Sequence, residues 1–169
     1  MIVRPYDNKQ PRFGARVFIA DNAAIIGDVD IGDDASIWFG TTVRGDVDTI
    51  RIGRNTNVQD NCTIHVTGGQ FATNIGDNVT IGHGAIVHGC TIGNGALIGM
   101  GARVLDGAVI GESAMVGAGA LVPPGMIVPP RVLVVGLPAR VKRPLTDDEL
   151  AHLEQSWQHY VAVKEKYLE

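Results

Sequence analysis

Cysteine is scarce: Cys62 and Cys90 are the only two in 169 residues. They form no CxxC pair, which argues against a thiolate metal site. Two such thiols point to free cysteines of a cytoplasmic protein rather than to a disulfide framework. A basic excess is also lacking. Fourteen Lys and Arg stand against eighteen Asp and Glu, a formal charge of -4, and no basic stripe occurs, so charge argues against a nucleic-acid partner. No apolar run approaches the ~20 residues of a membrane span. The opening residues Met1-Ile2-Val3-Arg4-Pro5-Tyr6 lack the apolar region of a signal peptide. The expectation is a cytoplasmic protein with neither membrane nor nucleic acid as partner. With 45% hydrophobic and 19% charged residues, the chain is core-forming rather than disordered.

What is plentiful is glycine, 22 residues, which argues against a mostly helical body. The apolar residues explain it. Every sixth position from Ile19 is Ile or Val: Ile19, Ile25, Ile31, Ile37 and Val43. The count resumes at Ile52, Val58 and Ile64, at Ile75, Ile81 and Val87, and then runs from Ile92 through Ile98, Val104, Ile110, Val116, Val122 and Val128 to Val134. Eight of these markers are followed directly by Gly, at 32, 53, 76, 82, 93, 99, 111 and 117. Period six leaves no 3.6-residue face, so a helix is excluded here. Six residues make one short strand and a corner, and three such units make one triangular coil of a parallel β-helix. The stiff β-branched marker points into the prism and packs on its copy one coil away, ~4.8 Å distant. Glycine near the corners is expected to supply backbone freedom.

The repeat with its N-terminal cap spans 1–137. A second segment, 138–169, is read as a linker followed by a helix packing on the β-helix. Thr146 and Glu149 form an expected capping box. Leu150, Leu153, Trp157, Tyr160, Val161 and Lys164 recur at helical spacing. The helix is expected on the flank of the prism or on a neighbouring subunit.

The repeat breaks three times. Three residues are inserted between Val43 and Ile52, five between Ile64 and Ile75, and one is deleted between Val87 and Ile92. Each break falls at the end of the same prism face. On that face the outward residues following the markers are Ile26, Arg44, His65, His88 and Leu105. Arg44, His65 and His88 therefore form a column with a spacing of ~4.8 Å, and two imidazoles so placed can share a metal ion. His83 lies near a corner that turns it away from the column, and a neighbouring prism could bring a second copy of it there. Asp60 takes the equivalent place one coil below His83, next to Gln59. Outward histidines on a β-helix are commonly plain surface residues, and Arg44 with Asp46 reads equally as an interface ion pair. His152 and His159 read as solvated or interface residues, and the two cysteines as small packing residues.

Arg44-Gly45-Asp46, Gln59-Asp60-Asn61, Ile64-His65 and Gly82-His83-Gly84 through Val87-His88-Gly89-Cys90 resemble the γ-class carbonic anhydrase family, and its short bacterial branch in particular. The resemblance implies a left-handed β-helix, a handedness that spacing does not set. It also implies a homotrimer with a metal at each subunit interface, held by His65 and His88 of one subunit and His83 of the next. It places Gln59 beside the metal-bound water, gives Arg44 and Asp46 a part in linking subunits and shaping the active site, and makes Asp60 a supporting or interface carboxylate. Tyr160 is its candidate for a helix tyrosine approaching the site.

Three histidines with an open fourth position are the catalytic form of a zinc site. Iron or cobalt would satisfy the same ligands. The implied reaction is reversible hydration of CO2 to bicarbonate by metal-bound hydroxide. Two departures bear on it. Val47 stands where the family's archaeal archetype has a glutamate, and the loop from Val66 to Asn74 lacks that archetype's proton-shuttling carboxylate. The alternatives are metal-dependent hydrolysis of an acyl-CoA thioester, a hexapeptide acyltransferase, and a non-catalytic trimeric scaffold.

Overall fold

The repeat folds as a parallel β-helix closed by one C-terminal helix, Asp147–Leu168. The computed structural model describes residues 1–168, so Glu169, the last residue of the second segment, lies outside the described residues. One prism face forms an eight-stranded sheet, and the other two run together into a twelve-stranded sheet. Stacking is in register. On the separate face Ile19 pairs with Ile37, Ile37 with Val58, Val58 with Ile81, Ile81 with Ile98, Ile98 with Val116, and Val116 with Val134. Every marker except Ile19 is buried. The small residues two positions before the markers fill the inner corners, among them Ala85, Ala96, Ala102, Ala108, Ala114 and Ala120. Cys62 and Cys90 occupy this same register and are buried. Burial pushes their thiols up to about 11 and about 12, so they are packing groups and not nucleophiles.

The glycines that follow the markers are there for a different reason from the one expected. None of the eight has a positive φ. An added Cβ would instead strike the next coil, 2.7 Å from the Met100 backbone nitrogen at Gly82 and 2.5 Å from the Ala118 nitrogen at Gly99. Close coil stacking selects glycine at these places. The left-handed conformation falls two residues later, at Asp34, Asn55, Asn78 and Gly101 among others. Gly99→Ala should therefore destabilise the fold by about 1–3 kcal/mol through overpacking. Denaturant unfolding measures it, and an unchanged midpoint would show that the coils can separate without cost.

Ala139–Pro144 turns back antiparallel on Val132–Gly136 at one end of the separate face. This covers a sheet edge that would otherwise be open to pairing. The helix then starts at a capping box: the Glu149 amide donates to Thr146 Oγ1 (3.2 Å), and the Thr146 amide donates to Glu149 Oε2 (2.9 Å). It packs along the separate face of its own chain, against Phe18–Ile19, Ser36–Ile37, Asn57–Val58 and Thr80–Ile81. Leu153 and Lys164 are its buried residues. Tyr160 meets Trp38 edge-on with centroids 5.4 Å apart, and Lys164 Nζ donates to Asp34 Oδ1 at 3.1 Å. Among the described residues no helix is long and apolar enough to cross a membrane.

Candidate metal centre

The three breaks become three local structures at one corner of the prism. The first insertion is a bulge: opposite Asp28 alone, the chain from Asp46 to Thr49 is accommodated between the pairs Gly27–Gly45 and Val29–Ile50. The second is the loop after the strand Thr63–His65, closed by a bridge between Thr67 and Phe71. The deletion follows the strand Ile86–His88 and tightens the turn at Gly89. His88 pairs in register with His65, and the register of Val43 with Ile64 sets Arg44 one coil below.

The imidazoles meet at their ring nitrogens. His65 Nδ1 lies 3.0 Å from His88 Nε2. The outer nitrogens face carboxylates: His65 Nε2 is 3.0 Å from Asp46 Oδ1, and His88 Nδ1 is 2.6 Å from Asp106 Oδ1. Burial pushes both carboxyls up, but hydrogen bonds outweigh it, from His65 and Arg44 to Asp46 and from His88 and Thr67 to Asp106. Both groups lie below the usual carboxylate range. Ionised carboxylates only accept, so the outer nitrogens carry the protons. With the neutral rings in these tautomers, the facing nitrogens present their lone pairs toward each other, an arrangement that can accept a cation. The donor set fits such an ion, since tetrahedral zinc with Zn–N of about 2.0–2.1 Å sets two nitrogens about 3.3 Å apart.

A second constellation lies at the preceding corner. His83 Nδ1 is 2.8 Å from Asp60 Oδ2, and the His83 amide donates to Gln59 Oε1 at 3.2 Å. Gln59 Nε2 in turn donates to Asn57 Oδ1 (3.2 Å), and Asn57 Nδ2 to Thr80 Oγ1 (3.0 Å), which reaches Ser156 Oγ on the helix at 3.1 Å. Burial raises the Tyr160 phenol, as does the negative charge of Asp60. One chain thus carries Arg44, Asp46, His65 and His88 at one corner, and Gln59, Asp60, His83 and Tyr160 at another. Among the described residues of a single chain, no group of three His, Cys, Asp or Glu could hold a metal.

Sequence reasoning missed Asp106, Thr67 and Asn57. Asp106 left no periodic signal, since the deletion shortens this coil to seventeen residues and puts Leu105, one residue before Asp106, in register above His88. Asn57 left none either, because its tie to the site runs through side-chain hydrogen bonds with Gln59 and Thr80. His152 lines a cavity of about 320 Å³ with Gln59, His83, Leu97, Met100 and Met115. His159 stands edge-on to Tyr160. A cavity of about 500 Å³ between Asn78, Arg131 and Trp157 touches none of the residues of either constellation.

Comparison with known proteins places this arrangement. The bacterial transferase hexapeptide (six repeats) family model matches residues 72–106 and 89–124. Gamma carbonic anhydrase 2, mitochondrial, of Arabidopsis thaliana is 45% identical over 91% of the chain, which spans only 57% of that relative's length. The carbonic anhydrase of Geobacillus kaustophilus is 45% identical over 98% of the chain and 91% of its own length. Among solved structures, a hexapeptide transferase family protein from Anaplasma phagocytophilum superposes with a TM-score of 0.94 at 46% identity, covering 98% of both chains. Identity at this level across almost the whole chain, on a coil whose interruptions carry paired imidazoles, makes this chain a member of the γ-class carbonic anhydrase family.

Proposed function

We propose that the chain is a metal-dependent carbonic anhydrase, interconverting CO2 and bicarbonate in a homotrimer. In it His65 and His88 of one copy and His83 of the next hold the ion. The observation carrying this reading is the pair of facing imidazole nitrogens 3.0 Å apart, each ring backed by a carboxylate. One chain brings together only two of the three histidines, which supports a third ligand supplied by another copy. Bound zinc, iron or cobalt supplies a Lewis acid that makes water nucleophilic near neutral pH. The chain's own residues prepare the site. Asp46 keeps the His65 proton on Nε2, so that Nδ1 offers its lone pair, and the ion pair with Arg44 holds that carboxylate in place. Asp60 orients His83 from Nδ1 and leaves Nε2 to point outward. Gln59, anchored by the His83 amide and Asn57, sets a carboxamide beside the third ligand, where it can orient a polar substrate. Tyr160 borders this corner as a neutral hydrogen-bonding group.

Proton export is the weak step. Val47 is 53% exposed and carries no acid. Both oxygens of its neighbour Asp48 are taken by backbone amides, those of Thr49 (2.7 Å) and Gly69 (3.1 Å). CO2 hydration should therefore be slow in weak buffer and rise with the concentration of an imidazole buffer. Val47→Glu should raise the rate in weak buffer and flatten that dependence. Stopped-flow hydration assays on anaerobically purified, metal-analysed protein test the reading. Fast turnover independent of buffer would overturn the missing relay, and metal-replete trimers inert toward CO2 at every buffer strength would overturn the carbonic anhydrase reading.

One observation favours a second reading, hydrolysis of an acyl thioester. The cavity beside His83 and Gln59, lined by Leu97, Met100 and Met115, measures about 320 Å³, far more than CO2 requires. A thioesterase assay on the same sample decides between them.

A further inference from the structure

We propose that Asp106 is the positioning residue of the metal centre: it orients His88 and fixes its tautomer, and the inserted loop is built to hold it there. The proposal rests on the metal reading above. Asp106 Oδ1 accepts from His88 Nδ1 at 2.6 Å, while Oδ2 accepts from Thr67 Oγ1 at 2.8 Å. Thr67 belongs to the loop that interrupts the repeat, thirty-nine residues away in the chain. Both oxygens of one carboxylate are thus committed, one to the imidazole and one to the loop.

Gly89 is a third, independent feature. It adopts φ +56°, and a Cβ there would lie 2.4 Å from Asp106 Oδ1. The residue directly after His88 must lack a side chain for the carboxylate to reach the ring. Phe71, at the other end of the same loop, covers this spot. Added Cβ atoms at Gly89 and Gly107 would meet it at 2.9 and 3.1 Å. The loop closes around Asp106 with a hydroxyl at one end and an aromatic ring at the other.

The result is a clamp. Asp46 engages His65 from below and Asp106 engages His88 from above, so the paired imidazoles are held between two carboxylates. A carboxylate behind a ligating histidine sets ring orientation, raises basicity and typically accounts for 10–100-fold in metal affinity. Asp106 performs for His88 what Asp46 performs for His65, although it lies outside the Arg-Gly-Asp segment and follows the last histidine of the set.

The test is zinc affinity by chelator competition on the full chain, beside the visible spectrum of the cobalt-substituted protein and thermal unfolding of the metal-free form. Asp106→Ala should weaken zinc on the order of 10–100-fold and alter the cobalt spectrum. Asp106→Asn, whose carbonyl oxygen still accepts from Nδ1, should lose less. Thr67→Val should shift affinity in the same direction by a smaller factor. The metal-free melting temperature should be unchanged in all three. Zinc affinity of Asp106→Ala within about twofold of wild type would overturn the proposal, given the effect expected of such a group. A lowered metal-free melting temperature with no recovery of affinity in Asp106→Asn would also overturn it. A wild-type chain that binds no zinc would overturn the metal centre itself, an outcome distinct from a role lost by Asp106 alone.

Discussion

Replacing His65, His83 or His88 with alanine should each strip the protein of its metal and abolish its activity. The full set of ligands at a structural zinc site supplies about 10–16 kcal/mol, so one of four donors accounts for about 3 kcal/mol, on the order of 100-fold in affinity. Removing His65 or His88 also takes one donor from its carboxylate, while Asp46 keeps Arg44 and Asp106 keeps Thr67, a cost that falls on the fold rather than on metal affinity. His152→Ala and His159→Ala should keep a full complement of metal, because both residues are exposed on the helix. Elemental analysis of dialysed protein measures this directly. Full metal content in any of the first three variants would remove that histidine from the site.

Mixing two inactive variants should restore activity. His83→Ala chains retain the pair His65 and His88, and His65→Ala chains retain His83. If the centre lies between subunits, an interface joining the intact pair of one chain to the intact His83 of the other is complete. Random assembly in a cyclic trimer makes about a quarter of the interfaces complete, so about a quarter of the wild-type metal and activity should return after subunit exchange. The separation of the two constellations within one chain motivates this expectation. His83 precedes the strand Ile86–His88, and His88 ends it, so that one prism face lies between them. No recovery after proven exchange would place all three ligands in one chain.

The residues that sequence reading could and could not find differ in how they make their contacts. The column was legible because a parallel coil repeats one geometry. Once the markers set the phase, the residue after each marker points outward, and insertions shift the count without shifting the register. His65 and His88 come into register although they are twenty-three residues apart. The glycines were legible as a pattern but not in their cause, since the nearest obstacle to each belongs to the following coil. Asp106 was obscured because its function requires an oxygen to cross the space above Gly89. That depends on side-chain rotamer and on the loop, not on period.

By itself the sequence determined the coil, its phase and the corner where chemistry gathers. A β-branched residue at every sixth position has one buried solution, which leaves the outward positions between markers, and the three departures from the period, free to carry function. The tertiary structure alone decided which groups support the site. It set the two carboxylates behind the paired imidazoles, committed Gln59 to Asn57, and laid the helix on its own chain's face through Ser156 and Lys164, contacts that span 76 and 130 residues. The physical reason is range. Periodicity encodes contacts between equivalent positions of neighbouring coils, whereas hydrogen bonds across a loop or a docked helix join positions that share no period, and they exist only once the chain has closed on itself.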